Sequence, residues 1–244
     1  MNKNHQKIRI GEAAKILGVN IQTLRNWEKS GKLQALRSPG GQRYYLLSDI
    51  DQFKIDIQSL GWAWSASAQA PMLAPEHYCE RQDRFTSRLE KMSVALLHSL
   101  GNEKKDLVSL VTLVAGEIGD NSFAHNVGNW PDTPGVFYAF DVNKRIIVLA
   151  DRGRGIKATL RNIRPNVASD TEALHIAFTE IISGRSPEKR GNGLKVVRRV
   201  AETADIGLLL RSGVGQVNIP KVPGLMKIVM ADQNIRGVYA VITF

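Results

Sequence analysis

Three polar side chains at helical spacing, Glu117, Asn121 and His125, are the first candidates for chemistry in this sequence. Steps of four residues keep side chains on one face of an α-helix, so these three would line a single site. Apolar side chains recur at helical spacing from Leu107 to Ile118, which places the polar row along the edge of a buried stripe. A ligand that meets these groups would offset the cost of burying them. Chance polar residues on the rim of an amphipathic helix are the alternative.

A carboxylate and two glycines follow the next strand-like runs. Residues 135–141 and 145–150 have the apolar, β-branched composition of strands, and the second run leads directly into Asp151-x-Gly153-x-Gly155. A carboxylate at the end of a strand can lie deep in a pocket, while glycine lets the backbone bend closely around a ligand. Such a carboxylate accepts a hydrogen bond from an exocyclic amine such as that of adenine.

A third stretch, Ser183 to Val197, combines small residues with positive charge. Arg185, Lys189 and Arg190 lead into Gly191-Asn-Gly193, and a helical pattern follows. Glycine-rich backbone at a helix N-terminus offers free N–H groups to phosphate. The spacing is neither that of a P-loop nor that of a Rossmann fingerprint.

Length, charge and cysteine content narrow the function classes. The 244 residues suffice for one or two domains, and the formal net charge of +10 favours an anionic partner, nucleic acid ahead of a membrane surface. The excess is densest in residues 1–60, with ten Lys/Arg against five Asp/Glu, so we expect DNA contact there. Cys79 is the only cysteine and no run of eighteen apolar residues occurs. We therefore expect a cytoplasmic protein without disulfides or a membrane span.

Residues 8–31 predict two short helices joined by a tight turn. Ala13, Ala14 and Leu17 lie at helical spacing before Gly18, and the pattern resumes at Ile21. This is the arrangement of a helix-turn-helix, in which the second helix enters the major groove of DNA. The exposed residues of the second helix, which we predict to contact DNA, are Gln22, Thr23, Arg25, Asn26 and Lys29.

The segment that follows predicts a hairpin wing. Pro39-Gly-Gly41 is a turn signal between two short strand-like runs, and Arg37 and Arg43 flank it. Residues 8–55 resemble the winged helix-turn-helix of the MerR-type family through Thr23-Leu-Arg-Asn-Trp-Glu28 and Gly41-Gln-Arg-Tyr-Tyr45. The resemblance implies binding of double-stranded DNA by a homodimer, with Arg37, Arg43 and Tyr44 as wing contacts. A small helical protein-interaction module is the alternative.

Residues 59–80 separate this segment from the rest of the chain. They carry few charges and two prolines, which predicts a linker or a strap, and Trp62 and Trp64 favour a strap that packs on a neighbouring domain. Apolar and charged residues then alternate at helical spacing from Asp83 to Leu100. The predicted domains are therefore residues 1–58 and residues 81–244, the second opening with a helix at 81–101.

The three later motifs are more specific together, in this order along the chain, than any one of them is alone. Glu117-x3-Asn121-x3-His125, Asp151-x-Gly153-x-Gly155 and Gly191-x-Gly193-Leu194 resemble the boxes of the GHKL ATP-binding family, shared by type II topoisomerases, sensor histidine kinases and mismatch-repair ATPases. The resemblance covers about residues 105–244 and implies ATP and Mg²⁺ as cofactors. It implies an α+β protein whose C-terminal domain is a two-layer α/β sandwich of the Bergerat type, with a mixed β-sheet covered on one face by helices.

The same resemblance assigns roles by position. Asn121 would hold the Mg²⁺ that bridges the phosphates, Asp151 would bind the adenine amine, and Glu117 would act as general base or organise metal and water. His125 would support these residues from behind, and residues 157–190 would form a mobile lid. The complete set of implied ATP contacts is Asn121, Asp151, Gly153, Gly155, Ile156, Lys189, Arg190, Gly191, Gly193 and Leu194.

These patterns together predict a nucleotide-controlled transcriptional regulator that binds DNA and hydrolyses ATP. The alternative is a protein kinase that resembles anti-sigma factors and phosphorylates a small partner protein. A third interpretation is a degenerate domain that binds nucleotide only as a structural element.

Overall fold

A computed structural model of the chain describes residues 6–31, 33–54, 56–180, 193–221 and 224–244. The chain divides into two compact units, residues 1–56 and residues 57–244, which we call the N-terminal and C-terminal units. Among the described residues, no helix is both long enough and apolar enough to cross a bilayer.

The N-terminal unit is built around the predicted pair of helices. Its elements in chain order are β1 (Lys7–Arg9), α1 (Ile10–Leu17), α2 (Ile21–Lys29), β2 (Leu36–Arg37), β3 (Arg43–Leu46) and α3 (Leu47–Lys54). Gly18 ends α1 in the left-handed region at φ 66°, where its N–H bonds back to the helix carbonyls. Asn20 then caps α2 by accepting a hydrogen bond from the Thr23 N–H at 2.7 Å. The turn between the helices is thus specified at both ends.

A small antiparallel sheet in the order β1-β3-β2 completes this unit. Leu24 of α2 is fully buried and packs with Ile8, Tyr45 and Ile50 from the sheet and α3. One face of α2 is therefore committed to the core, and the opposite face is left to solvent.

The C-terminal unit contains one larger sheet and the helices that cover it. Its elements are α4 (Ile57–Ala66), β4 (Tyr78–Cys79), α5 (Gln82–Leu100), α6 (Lys105–Asn126), β5 (Val136–Asp141), β6 (Ile146–Asp151), α7 (Gly155–Arg161), α8 (Asp170–Thr179), α9 (Gly193–Thr203), β7 (Gly207–Ile219) and β8 (Lys227–Thr243).

The sheet has the order β4-β5-β6-β8-β7, and every pairing among its described strands is antiparallel. The prediction of a mixed sheet was therefore wrong. Strands β6 and β7 do run in the same direction, because each of them pairs antiparallel with β8, which lies between the two. Each neighbouring pair is consequently antiparallel.

Helices cover both faces of this sheet rather than one. The larger core lies between one face and helices α5, α6, α8 and α9. On the other face α4 packs through Ile57 and Trp64 against Phe137 and Val148. Gly61 permits the close approach, because a methyl group built there would lie 2.6 Å from Cγ1 of Val148. The two-layer prediction thus missed a third, partial layer, and residues 59–80, predicted as a linker or strap, include most of α4.

Candidate nucleotide site and DNA interface

Helix α6 presents two of the predicted residues, Glu117 and Asn121, at its half-buried edge, while His125 lies exposed in the last turn. Gly193, the first residue of α9, lies directly against this edge. A methyl group built on Gly193 would lie 2.3 Å from Oε2 of Glu117 and 3.3 Å from Nδ2 of Asn121. Gly193 of the third sequence motif is therefore adjacent to the first motif, and the start of α9 lies beside the carboxylate and amide of α6.

Asp151 is placed at the end of β6, as the strand pattern predicted, and only 1% of it is exposed. Its Oδ2 accepts a 2.6 Å hydrogen bond from the Ser122 hydroxyl, and its Oδ1 accepts the Gly153 N–H at 2.8 Å. Burial raises the pKa of the Asp151 carboxyl, while the bonds from Ser122 and from the Gly153 and Val238 backbone oppose that rise. The carboxylate is thus oriented by the helix next to it.

The residues 151–155, which we call the Asp151 loop, are also held by Asn126. Its Oδ1 accepts the Arg154 N–H at 2.9 Å, and its Nδ2 donates to the Ser122 carbonyl at 2.7 Å. Gly153 is required beside it, because a methyl group built there would lie 2.2 Å from Nδ2 of Asn126. Helix α6 therefore supports the loop with a second row of polar residues next to the predicted one.

Sequence reasoning missed Ser122 and Asn126. Both are buried, and they stand four residues apart in line with the apolar Ile118. Polar residues that interrupt a buried stripe need partners, and this was the available signal. The predicted row instead drew attention to His125, which lies on the exposed side of the same turn.

The far end of the loop is fixed by Ser212 at an irregularity in β7. The Ser212 hydroxyl accepts the Ile156 N–H at 3.0 Å and donates to the Gly237 carbonyl at 2.9 Å. Gly155 adopts φ 76°, a conformation that favours glycine. Ile156 and Leu194, predicted as ATP contacts, are half-buried and pack on the helical core.

Part of the predicted lid is a packed element of the fold. Of residues 157–190, the described part forms α7 and α8, and Leu174 and Phe178 of α8 belong to the main core. Asp170 further anchors α8 by accepting the Val214 N–H at 3.1 Å. The remainder of the predicted lid, and with it Lys189, Arg190 and Gly191, lies outside the described residues.

The described residues fit the groups that the motifs imply. Asn121 offers an amide oxygen of the kind that Mg²⁺ accepts as a ligand, with the Glu117 carboxylate beside it and the start of α9 at Gly193 next to both. No cluster of three or more His, Cys, Asp or Glu side chains converges in the described parts of the chain. An ion here would therefore be held by one or two side chains together with phosphate and water, as Mg²⁺ commonly is.

An open cleft of about 500 Å³ lies elsewhere on the C-terminal unit, beside α8 and α9, and has Met226 and Ile228 on one wall. Ser169 and Glu172 line it too, but they are already used to cap α8. Neither Glu117 nor Asp151 lines this cleft. The candidate nucleotide site is instead the region where α6 contacts Gly193 and the Asp151 loop.

The predicted DNA-contacting face of α2 is polar and mostly exposed. Gln22, Arg25, Asn26 and Lys29 are exposed, and Nε2 of Gln22 donates to Oδ1 of Asn26 at 3.1 Å. Thr23 is half-buried, and its hydroxyl bonds to the Asn20 cap at 3.0 Å. Donors and acceptors of this kind on one helix face match the edges of base pairs in the major groove.

The two predicted wing arginines contact a residue that the sequence did not single out. Glu28 of α2 pairs with Arg37 at 2.8 Å and with Arg43 at 2.6 Å, and only 13% of its side chain is exposed. Tyr44, the third wing residue, donates from its hydroxyl to Gln42 at 3.0 Å. Glu28 therefore fastens the β2–β3 hairpin to α2 and leaves about half of the Arg37 side chain exposed.

Replacing Glu28 by glutamine should loosen this hairpin in a pH-dependent way. Hydrogen bonds from Arg43 and Arg37 hold the pKa of Glu28 below its ordinary value. The stabilisation is fully present above the ordinary carboxyl pKa and is lost as pH falls through the lowered one. At neutral pH we expect Glu28→Gln to cost about 1–3 kcal/mol.

Amide hydrogen exchange in α2 and β3 measures this effect on the N-terminal unit alone. The difference between wild type and Glu28→Gln should shrink as the solution is acidified. A difference that stays constant across the acidic range would show that the charged pair is not its source.

Comparison with known families places the N-terminal unit. The model of the MerR family regulatory protein matches residues 9–45, which span α1, α2 and the β2–β3 hairpin. The search of curated proteins gives no match. Residues 9–45 therefore form a MerR-type helix-turn-helix domain, which points to DNA-binding transcription regulation.

Proposed function

We propose that this protein is a transcriptional regulator that binds duplex DNA through α2 and the wing, and that binds Mg-ATP in its C-terminal unit. The MerR-type domain supports the first part. The second part is supported by one observation, that residues of all three sequence motifs lie on or against helix α6. Its Glu117 and Asn121 lie against Gly193, while its Ser122 holds Asp151.

Each group has a defined part in this proposal. Asp151 would accept a hydrogen bond from the adenine amine, and Asn121 would provide the amide oxygen for Mg²⁺. The N–H groups at the start of α9 bind phosphate oxygens, favoured by the positive end of the helix dipole. Bound Mg²⁺ neutralises phosphate charge during transfer.

DNA recognition divides between the helix and the wing. Arg25, Asn26 and Gln22 read base edges in the major groove, whereas Lys29 and Arg37 contact phosphates. A homodimer would meet two half-sites about one helical turn apart. The formal charge of +10 predicts that the affinity falls steeply as salt is raised.

Glu117 acts as the general base toward water in this proposal. We expect Glu117→Ala to retain ATP binding and to lose at least about 100-fold in phosphate release, because general base catalysis contributes about 10²–10⁴-fold. The measurement is phosphate release from Mg-ATP by the full chain, with and without duplex DNA, with Glu117→Ala as the blank.

The same experiment decides between the two candidate activities. Release above the blank that rises with DNA supports the regulator with ATPase activity. Binding of ATP without release above the blank, together with transfer of γ-phosphate label to a protein, would replace it with the kinase. Absence of ATP binding in the wild type would contradict the nucleotide site altogether.

A further inference from the structure

Arg152, inside the Asp151 loop, points away from the nucleotide site and is fully buried. Its Nε donates to Oδ2 of Asp132 at 2.7 Å, and its Nη2 also pairs with Asp132. Nη1 donates to the carbonyls of Trp64 and Ser67, the second at 2.9 Å, and Nη2 donates to the Ala68 carbonyl at 3.2 Å. The guanidinium thus binds one carboxylate, the Trp64 carbonyl in the last turn of α4, and two carbonyls of the segment that directly follows this helix.

Burying a cation without partners would cost several kcal/mol, so such complete pairing is required for Arg152 to be here. Asp132 supplies the opposite charge, and Arg152 in turn lowers the pKa of the Asp132 carboxyl. The C-terminal end of a helix carries free carbonyls and partial negative charge, which suits a cation. Only Arg offers enough donors, in a planar fork, to reach all these acceptors.

Successive residues of the loop are therefore held from opposite faces of the sheet. Asp151 bonds to Ser122 of α6 on one face, and Arg152 bonds to Trp64 in the last turn of α4 on the opposite face. Any displacement of α4 relative to the sheet has to be accommodated at the loop that carries Asp151.

Helix α4 is also the first element of the C-terminal unit. It begins at Ile57, directly after the N-terminal unit ends at Asp56. Among the described residues, it is the helix in direct covalent continuity with the DNA-binding unit.

We propose that Arg152 is a positioning residue of the nucleotide site and that it links the ATP affinity of this site to DNA binding through α4. The proposal rests on the function proposed above and adds the route of regulation. Linkage is reciprocal, so DNA must change ATP affinity by the same factor by which ATP changes DNA affinity.

The test measures the ATP dissociation constant of the full chain with and without a duplex that it binds. Wild type is compared with Arg152→Lys, which keeps the charge but loses the fork, and with Asp132→Asn, which keeps the shape but loses the anion. The matched control is Arg236→Ala. Arg236 is half-exposed and also contacts Asp132, at 3.4 Å, but it is not bonded to α4.

We expect duplex DNA to change the ATP dissociation constant of wild type and of Arg236→Ala by about 5-fold or more, a typical coupling between sites. In Arg152→Lys and Asp132→Asn this factor should fall below about 2-fold. Thermal unfolding of each variant without ligand checks that the fold is retained. Asp132, which is partly exposed, is the milder change if Arg152→Lys fails to fold.

The proposal is overturned if both altered proteins keep the wild-type factor, or if DNA leaves the ATP affinity of the wild type unchanged. Wild type that binds no ATP in either condition would instead overturn the proposed function, and the linkage would fall with it. The wild-type measurement without DNA separates these two failures.

Discussion

Replacing Asp151 by asparagine is expected to weaken ATP binding by at least about 100-fold, which corresponds to roughly 3 kcal/mol. Oδ1 must remain an oxygen, since it accepts the Gly153 N–H, so the new amide nitrogen replaces Oδ2 beside Ser122. The hydroxyl of Ser122 can rotate to accept from it, and the fold should survive. The substitution removes the charged acceptor for the adenine amine. The adenine N–H would then face a neutral amide, and a buried donor without a matching acceptor reduces the binding affinity strongly.

Isothermal titration with Mg-ATP measures this loss, and Asp141→Asn is its matched control. Asp141 is also buried at the end of a strand, but its carboxylate bonds to the turn at Lys144 and not to the Asp151 loop. Asp141→Asn should bind ATP as the wild type does. Retained binding in Asp151→Asn would overturn the assignment of the pocket.

Replacing Gly237 by alanine is expected to destabilise the C-terminal unit by about 3 kcal/mol or more and to abolish ATP binding. The new methyl group would lie 2.1 Å from Oδ1 of Asp151, 2.4 Å from the Asp151 carbonyl oxygen and 2.7 Å from the Gly153 nitrogen. Two of these three contacts are with backbone, which cannot move aside as a flexible side chain can. Gly237 also has φ 60°, which adds strain for any residue with a Cβ.

Urea unfolding of wild type, Gly237→Ala and Gly128→Ala separates crowding from strain. Gly128 has a similar φ, 71°, but a methyl group built there would meet nothing within 4 Å. Gly128→Ala should therefore cost only about 1–2 kcal/mol, the strain of the left-handed region alone. Equal losses in the two variants would show that β8 does not press on the Asp151 loop as described.

The parts of the structure that sequence could predict are those specified by nearby residues. Gly18 and Asn20 mark the turn of the helix-turn-helix within three positions of each other, and four-residue steps mark α6. Such signals depend on local backbone preferences, so they can be recognised without knowledge of the fold. The three motifs at residues 117–125, 151–155 and 191–194 were instead recognised by their resemblance to a known family, and their roles in this chain stay predictions.

The parts that could not be predicted depend on contacts between distant residues. Ser122 donates a hydrogen bond to Asp151, which lies 29 positions later in the sequence. Arg152 donates to carbonyls more than 80 positions earlier. Strand β8 contains two apolar runs, residues 228–230 and 238–242, and mostly polar residues separate them in the sequence. The two runs form one strand because β7 pairs with β8 from one end to the other. That pairing depends on the rest of the sheet and is not encoded in residues close to β8 in the sequence.

The position of β8 also constrains how the protein is made. Among the described strands of the sheet it is the last to be synthesised, yet it pairs with both β6 and β7 and brings Gly237 against the Asp151 loop. Until β8 arrives, β6 has an unpaired inner edge and β7 has no neighbour at all, and exposed edges of this kind invite aggregation. Under the proposed function, a nascent chain halted before β8 would therefore expose edges that chaperones bind, and it would lack the contact between Gly237 and the Asp151 loop.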